Sequence, residues 1–535
     1  MDTSFVVVKR RLARFAGLAG LVVPLVASAA PPADTGPLEV SPAVSHDFLP
    51  SLRGVMPKPE DMSRAPRELP TRPLPMLDGP GQPADPVVQS STSPFVSTLP
   101  GLGIDGVGQG FVGPQGAFTV QYAPPDTNGA VGATQYVQLV NVSLAVFDKA
   151  TQAVVYGPVP INTLWSGFGG PCEADNDGDP VVVYDKAANR WVISQFAVTA
   201  APYYQCVAVS ATSDATGAYY RYAFSYGSLF PDYPKMGVWP DAYYITFNMF
   251  TNVFQGAKVC AYDRASMLVG APATQQCFQL SSSYGGLLPA DLDGATAPPA
   301  GSPNYLLNRA ASSLNLWRFH VDWANPANTA LSGPVNIPVA AYTAACNGGT
   351  CIPQSGTRQQ LDSLADRLMF RLAYRNFGTY ESLVATHSVQ VGTNKRNSHA
   401  GVRWYELRNP GGTPAVYQQS TFAPDSTFRW MGSIAMDKQG NMALGYSASS
   451  STIHPAIRYT GRLASDPLST MQAETSLIEG TGSQLANLSR WGDYSAMTVD
   501  PVDDCTFWYT SEYLKANGTF NWSTRIASFK FSGCQ

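Results

Sequence analysis

The sequence contains little charge and few histidines. Only 13% of its 535 residues are Asp, Glu, Lys or Arg, and five residues are His. The formal net charge of −4 leaves no excess of Lys and Arg, which nucleic-acid-binding proteins cluster on one face. No run of 18 apolar residues occurs after residue 30. We therefore expect no nucleic-acid partner and no transmembrane segment.

Several catalytic and metal-binding motifs are also missing. The sequence has no His-Glu-x-x-His, no Gly-x-Ser-x-Gly and no Cys-x-x-Cys, which argues against zincin proteases, α/β-hydrolases and zinc ribbons. The eight cysteines can pair in many ways, and sequential pairing is the simplest because it closes short loops. We expect disulfides in an oxidising compartment among Cys172, Cys206, Cys260, Cys277, Cys346, Cys351, Cys505 and Cys534.

The N-terminal region is typical of an exported bacterial protein. Residues 1–29 combine a basic start, a short apolar run and an Ala-Ser-Ala ending, which predicts a secretory signal peptide. Residues 30–103 are rich in proline and are predicted to be a disordered or extended linker. A spacer is favoured over a pro-segment. The protein is expected to be secreted, either extracellular or periplasmic, with one folded domain over 104–535.

From residue 104 onward the sequence favours short strands. Runs of β-branched and aromatic residues are bounded by Gly, Asn, Asp and Pro, and no long amphipathic helix is apparent. The chain is therefore predicted to be all-β. Examples of such runs are YVQLVN (136–141), AYYITF (242–247), NLWRFHVDW (315–323) and CTFWYTSEY (505–513).

These strands recur in units. Each unit has a polar entry, an apolar strand, an Asp-led turn and an aromatic-rich strand, at intervals of roughly 50 to 70 residues. This spacing predicts a β-propeller of about seven four-stranded blades, closed by residues 116–122 pairing with the last blade. Two packed β-sandwiches are the alternative. The predicted entries are Asp126, Asp179, Asp232, Asn304, Arg367, Arg429 and Arg490.

Several longer segments carry a family resemblance, among them APPDTNGAVG (123–132), GFGGPCEADNDGDPVVVYD (167–185), FPDYPKMGVWPDAYY (230–244), RWMGSIAMDKQGNMALGYSASS (429–450) and RWGDYSAMTVDP (490–501). They resemble a widespread group of secreted bacterial β-propeller proteins whose activity is not settled. The resemblance implies export and the propeller fold, which is distantly similar to the sialidase-type propeller superfamily. The Ser-x-Asp-x-Gly-x-Thr-Trp repeat of sialidases is absent.

The densest acidic cluster is a candidate calcium site. Glu173, Asp175 and Asp177 alternate along the chain just before Asp179. Carboxylates around a glycine turn can converge on a hard cation such as calcium, here expected to stabilise the fold and not to take part in catalysis. The alternative is an Asx-turn in which these side chains cap backbone N–H groups.

The predicted blade entries converge on one end of the central channel, which is where propellers bind ligands. Paired carboxylates suit acid–base work on sugars, arginines suit acidic groups, and aromatic rings stack on pyranoses. The predicted catalytic residues are Asp126, Asp179, Asp232 and Asp493. The predicted substrate-binding residues are Tyr233, Lys235, Arg371, Arg429, Trp430, Arg490 and Trp491.

Two functions follow from this set. The first is a glycoside hydrolase or lyase that acts on an extracellular polysaccharide at the central face. The second is a non-catalytic, calcium-stabilised binding or adhesion module of the cell envelope. In the second case the arginines and carboxylates are ion pairs between blades. We expect a monomer in both cases.

Overall fold

The structure is a computed structural model that describes residues 1–4, 34–59, 65–76, 84–92, 97–392 and 397–535. Most of the predicted signal peptide lies outside these residues. Strands dominate the fold, and the helices are short. The all-β prediction is confirmed. Among the described residues, no helix is long and apolar enough to cross a membrane.

In the described residues, the main strands fall into seven groups of four antiparallel strands, which we number as sheets 1 to 7. Sheets 4 and 5 are parts of one nine-stranded sheet. The strands of sheet 1 are Asn128–Val131, Gln135–Val140, Ser143–Asp148 and Val154–Pro160, and those of sheet 2 are Gly178–Asp185, Arg190–Ala197, Tyr203–Ser210 and Tyr219–Gly227. Sheet 3 contains Phe230–Val238, Tyr243–Phe250, Phe254–Tyr262 and Thr274–Gln279; sheet 4 contains Leu288–Asp293, Asn304–Arg309, Ser313–His320 and Ala330–Pro338; and sheet 5 contains Met369–Asn376, Glu381–Val391, His399–Arg408 and Ala415–Phe422. Sheet 6 contains Phe428–Met436, Met442–Ser450, Ile453–Arg462 and Thr475–Ile478, and sheet 7 contains Ala496–Val499, Phe507–Leu514, Trp522–Phe531 and Thr98–Asp105.

Shorter elements lie between and outside the sheets. The described residues contain two α-helices, Gly170–Ala174 and Arg264–Val269. The 3-10 helices are Leu52–Gly54, Ile161–Trp165, Pro326–Asn328 and Ala345–Gly348. The remaining strands are Glu39–Pro42, Ser45–Leu49, Arg67–Glu68, Val88–Gln89, Val112–Gly113, Gly116–Ala117, Tyr122–Ala123, Thr350–Ile352 and Leu361–Asp362.

The first strands of the seven sheets contact one another in order, and the first strand of sheet 7 contacts that of sheet 1. The sheets are therefore arranged in a closed ring of contacts. Sheets 4 and 5 are joined further, because Leu288–Asp293 pairs in parallel with Met369–Asn376. Apolar side chains fill the spaces between adjacent sheets, as Val183, Ile245 and Met369 do in the largest cluster. This packing directs the starts of the first strands toward a common centre.

The ring is closed by a different segment from the predicted one. Thr98–Asp105 pairs antiparallel with Trp522–Phe531, whereas residues 112–117 form a small separate hairpin. The prediction of 116–122 as the closing strand is therefore wrong. The Pro and Gly residues of TLPGLGID make this stretch similar in composition to a linker, but an edge strand tolerates proline because one side of it needs no ladder partner.

The described parts of the Pro-rich region are not a disordered arm. Glu39–Pro42 adds a fifth strand to sheet 3, and Ser45–Leu49 adds a fifth strand to sheet 2. Val88–Gln89 pairs with the outer strand of sheet 5. The predicted disorder is therefore wrong for these strands. Covering the outer edge of a sheet satisfies its exposed backbone groups, and this outweighs the local preference of proline.

The entry predicted near Asn304 is also misplaced. The first strand of sheet 4 is Leu288–Asp293, and Asn304 begins the second strand. The first strand has the sequence LPADLD, whose proline and carboxylates are typical of a loop. It obtains most of its backbone pairing from the parallel strand of sheet 5, which no local pattern predicts.

The predicted sequential disulfides are confirmed. They join Cys172 to Cys206, Cys260 to Cys277, Cys346 to Cys351, and Cys505 to Cys534. Four disulfides are typical of a protein from an oxidising compartment.

Ring closure can be tested with Gly103, in the closing strand, and Gly108, which follows it. A Cβ at Gly108 would lie 2.6 Å from the Cα of Ser523, whereas a Cβ at Gly103 would meet only the flexible end of Arg525. We expect Gly108→Ala to destabilise the protein by about 1–3 kcal/mol, since backbone must move, and Gly103→Ala by less than about 0.5 kcal/mol. Chemical denaturation measures both. Equal stabilities of the two variants would argue against a tightly packed closure.

Candidate functional site

A cavity of about 350 Å³ lies where the first strands of sheets 1, 2, 3, 5 and 7 begin. Part of its wall comes from the described segment 65–76, which we call the arm segment. The cavity brings together all four predicted catalytic carboxylates and two of the predicted binding residues. These are Asp126, Asp179, Asp232, Asp493, Tyr233 and Arg490.

A shared backbone kink directs these residues into the cavity. Asp126, Asp179, Tyr233 and Asp493 have φ values of 50°, 44°, 56° and 59°, in the left-handed region that L-residues rarely occupy. In sheets 2 and 3 the kink coincides with a break in strand register. Such bulges redirect a side chain out of the alternating pattern. Because the kink recurs in several sheets, it is a repeated device of the fold.

Asp126 and Asp179 are neighbouring carboxyls, of which Asp126 is buried and Asp179 is half-buried. Burial, followed by the charges of Asp493 and Asp179, raises the pKa of Asp126 well above its ordinary value. Burial also raises the pKa of Asp179, although Lys235, the Tyr233 N–H and a hydrogen bond from Asp126 act in the opposite direction. Two carboxyls this close cannot both ionise easily. Both pKa values are raised, that of Asp126 more strongly, so a proton held by the pair is favoured at Asp126.

Asp232 lines the same cavity, next to the arm segment. Burial and the charge of Asp179 raise its pKa to about 7, while Arg367 and Arg72 limit the rise. The Nε atom of Arg72 lies 3.8 Å from Oδ1 of Asp232. This carboxyl therefore changes charge near neutral pH.

Arg490 connects the cavity to the arm segment. Its Nε donates to Asp362 at 2.9 Å, its Nη2 pairs with Asp493, and its Nη1 donates to the carbonyl oxygen of Leu69 at 2.8 Å. Its backbone N–H donates to Glu68 at 2.7 Å. Burial raises the pKa of Asp362 to about 7 despite this partner. The guanidinium of Arg490 thus contacts three parts of the chain, at Asp362, Asp493 and Leu69.

Lys235 lies behind the cavity wall. Its Nζ is buried 3.5 Å from the ring centre of Tyr233 and 3.7 Å from that of Tyr494. Burial lowers its pKa to about 8, and the charges of Asp179 and Asp126 limit the fall. Lys235 does not line the cavity. Its ammonium group is held between two aromatic rings, and its positive charge acts on the carboxyls of Asp179 and Asp126.

Four predicted binding residues lie elsewhere, which corrects the sequence-based set. Arg371 is buried between Asp291 and Asp293, and Arg429 is held by Asp425 and Glu474. Trp430 and Trp491 are fully buried, and their ring centres lie 6.0 Å apart. Phe196 and Phe230 provide aromatic surface in the cavity instead.

The acidic loop is occupied by protein partners. Glu173 accepts from Lys58 Nζ at 3.0 Å and from the Gly169 N–H at 2.8 Å. Asp177 accepts from the Val198 N–H at 2.6 Å. In the described part of the chain, no group of three or more His, Cys, Asp or Glu side chains is arranged to hold a metal. Calcium at Glu173, Asp175 and Asp177 stays a prediction.

Several charged side chains in or near the cavity were not among the predicted site residues. Arg367, named as an entry, lines the cavity, and its guanidinium lies 4.5 Å from the ring centre of Tyr233. Arg72 comes from the presumed linker. Glu512 is buried within a strand, where it accepts from the Gly492 N–H at 2.7 Å, and burial raises its pKa well above the ordinary value. A single Glu within the aromatic run CTFWYTSEY was the available signal.

Comparisons with known proteins give no assignment. No protein-family model and no curated protein matches the chain. Similar solved structures include an exo-β-1,3-galactanase from Phanerochaete chrysosporium with galactose, at 12% identity, covering 80% of this chain and 97% of that chain, with a TM-score of 0.29. The WD40 domain of SCAP from fission yeast has 10% identity, coverage of 75% and 82%, and a TM-score of 0.30. A family 117 glycoside hydrolase from the marine bacterium Zobellia galactanivorans has 11% identity, coverage of 66% and 83%, and a TM-score of 0.21. Similarities of this size give no information about activity.

The raised pKa of Asp232 predicts a specific pH dependence of stability. The folded state holds this proton up to a pH of about 7, whereas the ordinary pKa is 3.8. Raising the pH from about 4 to about 7 should therefore destabilise the native protein relative to Asp232→Asn, which cannot ionise. Melting temperatures of both proteins across this range give the difference. Parallel curves would show that Asp232 titrates normally.

Proposed function

We propose that this protein is a secreted, monomeric β-propeller that hydrolyses an extracellular polysaccharide at its central cavity. In this proposal the seven sheets are the blades, since their first strands contact one another around a closed ring. Ligand sites in propellers form where the innermost strands converge at the central channel, and the cavity has this position. The four disulfides support export.

The observation that carries the proposal is that burial and neighbouring charges raise the pKa of Asp126 more strongly than that of Asp179. Glycoside hydrolysis needs one carboxylic acid that is protonated and a second carboxylate that is charged. Burial and neighbouring negative charges keep the proton on Asp126. Asp126 is then the general acid that protonates the glycosidic oxygen, and Asp179 accepts a hydrogen bond from it and favours its return to the acid form.

Asp493 is the candidate base or nucleophile. Its carboxylate is ion-paired with Arg490 and lines the same cavity as Asp126. Arg367 and Arg490 can bind hydroxyl or carboxylate groups of a sugar, and Phe230 can stack on a sugar ring. Hydrolysis is favoured over a lyase reaction, because Lys235 is enclosed by aromatic rings and is not placed to remove a proton from carbon.

A non-catalytic binding module is the second candidate. The arm segment lines the cavity, and Arg490 is already paired with Asp362 and Asp493. A cavity with its charges matched in this way suits ligand binding without turnover. Calcium at the acidic loop, if it binds there, would stabilise this module and would be detected as a melting temperature that falls on addition of a chelator.

Activity can be tested by screening the purified protein against plant and bacterial polysaccharides and measuring new reducing ends. On the substrate found, we expect Asp126→Asn and Asp179→Asn to lower the rate by about 100-fold or more. Asp126→Asn should not lower the melting temperature, because the native side chain is already neutral. Loss of activity would then not reflect loss of fold.

The matched control is Asp148→Asn, in an exposed turn where Asp148 accepts from the Thr151 N–H. This variant should retain the native rate. If the native protein binds a polysaccharide but releases no reducing ends, the binding module is correct. If Asp126→Asn and Asp148→Asn hydrolyse at equal rates, the assigned general acid is wrong.

A further inference from the structure

The arm segment binds the cavity wall as an extended peptide ligand would. Its Leu69 N–H donates to the carbonyl oxygen of Ala123 at 2.7 Å. Arg367 Nη2 donates to the carbonyl oxygen of Arg72 at 3.1 Å, and the Leu74 N–H donates to Asp366 at 2.8 Å. These bonds fix the backbone on both sides of Arg72. The side chain of Arg72 is thereby directed at one wall of the cavity.

That wall belongs to sheet 3 and is suited to a cation. The guanidinium carbon of Arg72 lies 4.2 Å from the ring centre of Phe230 and 5.6 Å from that of Phe250. Asp232 stands beside it at 3.8 Å. Two aromatic faces and one carboxylate around a positive group are the usual components of a cation-binding site.

The wall is organised independently of Arg72. Phe196 and Tyr203 of sheet 2 pack edge-on against Phe230, with ring centres 5.8 Å and 5.6 Å away. Phe250 is buried against Phe254. The rings therefore keep their positions through contacts with their own sheets. The side chain of Arg72, in contrast, is 35% exposed, and a part-exposed ion pair of this length holds its partner weakly.

We propose that Phe230, Phe250 and Asp232 form a binding subsite for a guanidinium or ammonium group, and that Arg72 is its internal occupant. A ligand carrying such a group must displace the Arg72 side chain to bind. The identity of the ligand rests on the proposed function: the ligand is a polysaccharide with free amino groups on its sugars. The subsite itself depends only on the geometry of the wall.

The subsite can be tested by chemical complementation of Arg72→Ala in the full chain. The probe is ethylguanidinium, measured by calorimetry and ligand-detected NMR at millimolar concentrations. We expect Arg72→Ala to bind it about tenfold more tightly than the native protein, in which Arg72 fills the subsite. The double variant Arg72→Ala with Asp232→Asn should lose this gain. Equal binding by all three proteins, or no binding by Arg72→Ala, overturns the proposal.

Arg72→Met is the control for a loss of folding, because it keeps an aliphatic side chain over Phe230 but removes the charge. If Arg72→Ala does not fold, the same comparison is made with Arg72→Met, and it must show the same gain and the same dependence on Asp232. If both variants fold and neither gains affinity, the subsite does not exist.

The ligand class is tested separately, with glucosamine oligomers and their N-acetylated counterparts. Arg72→Ala should bind the free-amine oligomers about tenfold more tightly, whether or not any hydrolysis occurs. Equal binding of the two oligomers, with ethylguanidinium still bound, overturns the amino-sugar assignment and leaves the subsite in place. Tighter binding of the peptide APRELPTRPLPM than of either oligomer would identify a peptide ligand instead. Absence of reducing ends in these assays would contradict only the hydrolase proposal.

Discussion

The pairing between Thr98–Asp105 and Trp522–Phe531 is the constraint on which the rest of the structure depends. It joins a strand that precedes sheet 1 to the last strand of the chain, within the sheet whose first strand contacts that of sheet 1. Asp126 precedes sheet 1 and Asp493 precedes sheet 7, so their charges meet only across this closure. The acid proposed for catalysis obtains its raised pKa in part from that contact. Closure of the ring therefore also builds the site.

The site concentrates negative charge in a buried place, which is unfavourable for folding. Arg490, Arg367 and Lys235 offset this, but their positive charges do not cancel the effect at every carboxyl, since the pKa values of Asp126, Asp232 and Asp362 remain raised. Carboxyls kept neutral by their surroundings are common at acid–base sites. In the ion pairs outside the cavity the direction varies: the pKa is lowered at Asp425 beside Arg429, whereas burial raises it at Asp291 beside Arg371.

The regular part of this architecture could be predicted from the sequence, because strand entries recur at similar intervals and each carries a polar residue. The direction in which each side chain points could not be predicted from the sequence. Arg429-Trp430 and Arg490-Trp491 begin their units alike, yet Arg490 lines the cavity and Arg429 pairs with Glu474 in its own sheet. A shift of one residue or one bulge reverses the face that a strand residue occupies. The Pro-rich strands were missed because tertiary edge pairing decided their structure.

The N-terminal region has two different relationships to the ring. Thr98–Asp105 is held by a backbone ladder with one break in register, so removing it would expose the edge of Trp522–Phe531. The arm segment has anchors on both sides of Arg72, at Glu68 and Leu74. Rotation of the Arg72 side chain about its own bonds leaves those anchors intact. The aromatic wall can therefore be vacated without unfolding the segment, and this distinguishes an internal ligand from a structural strand.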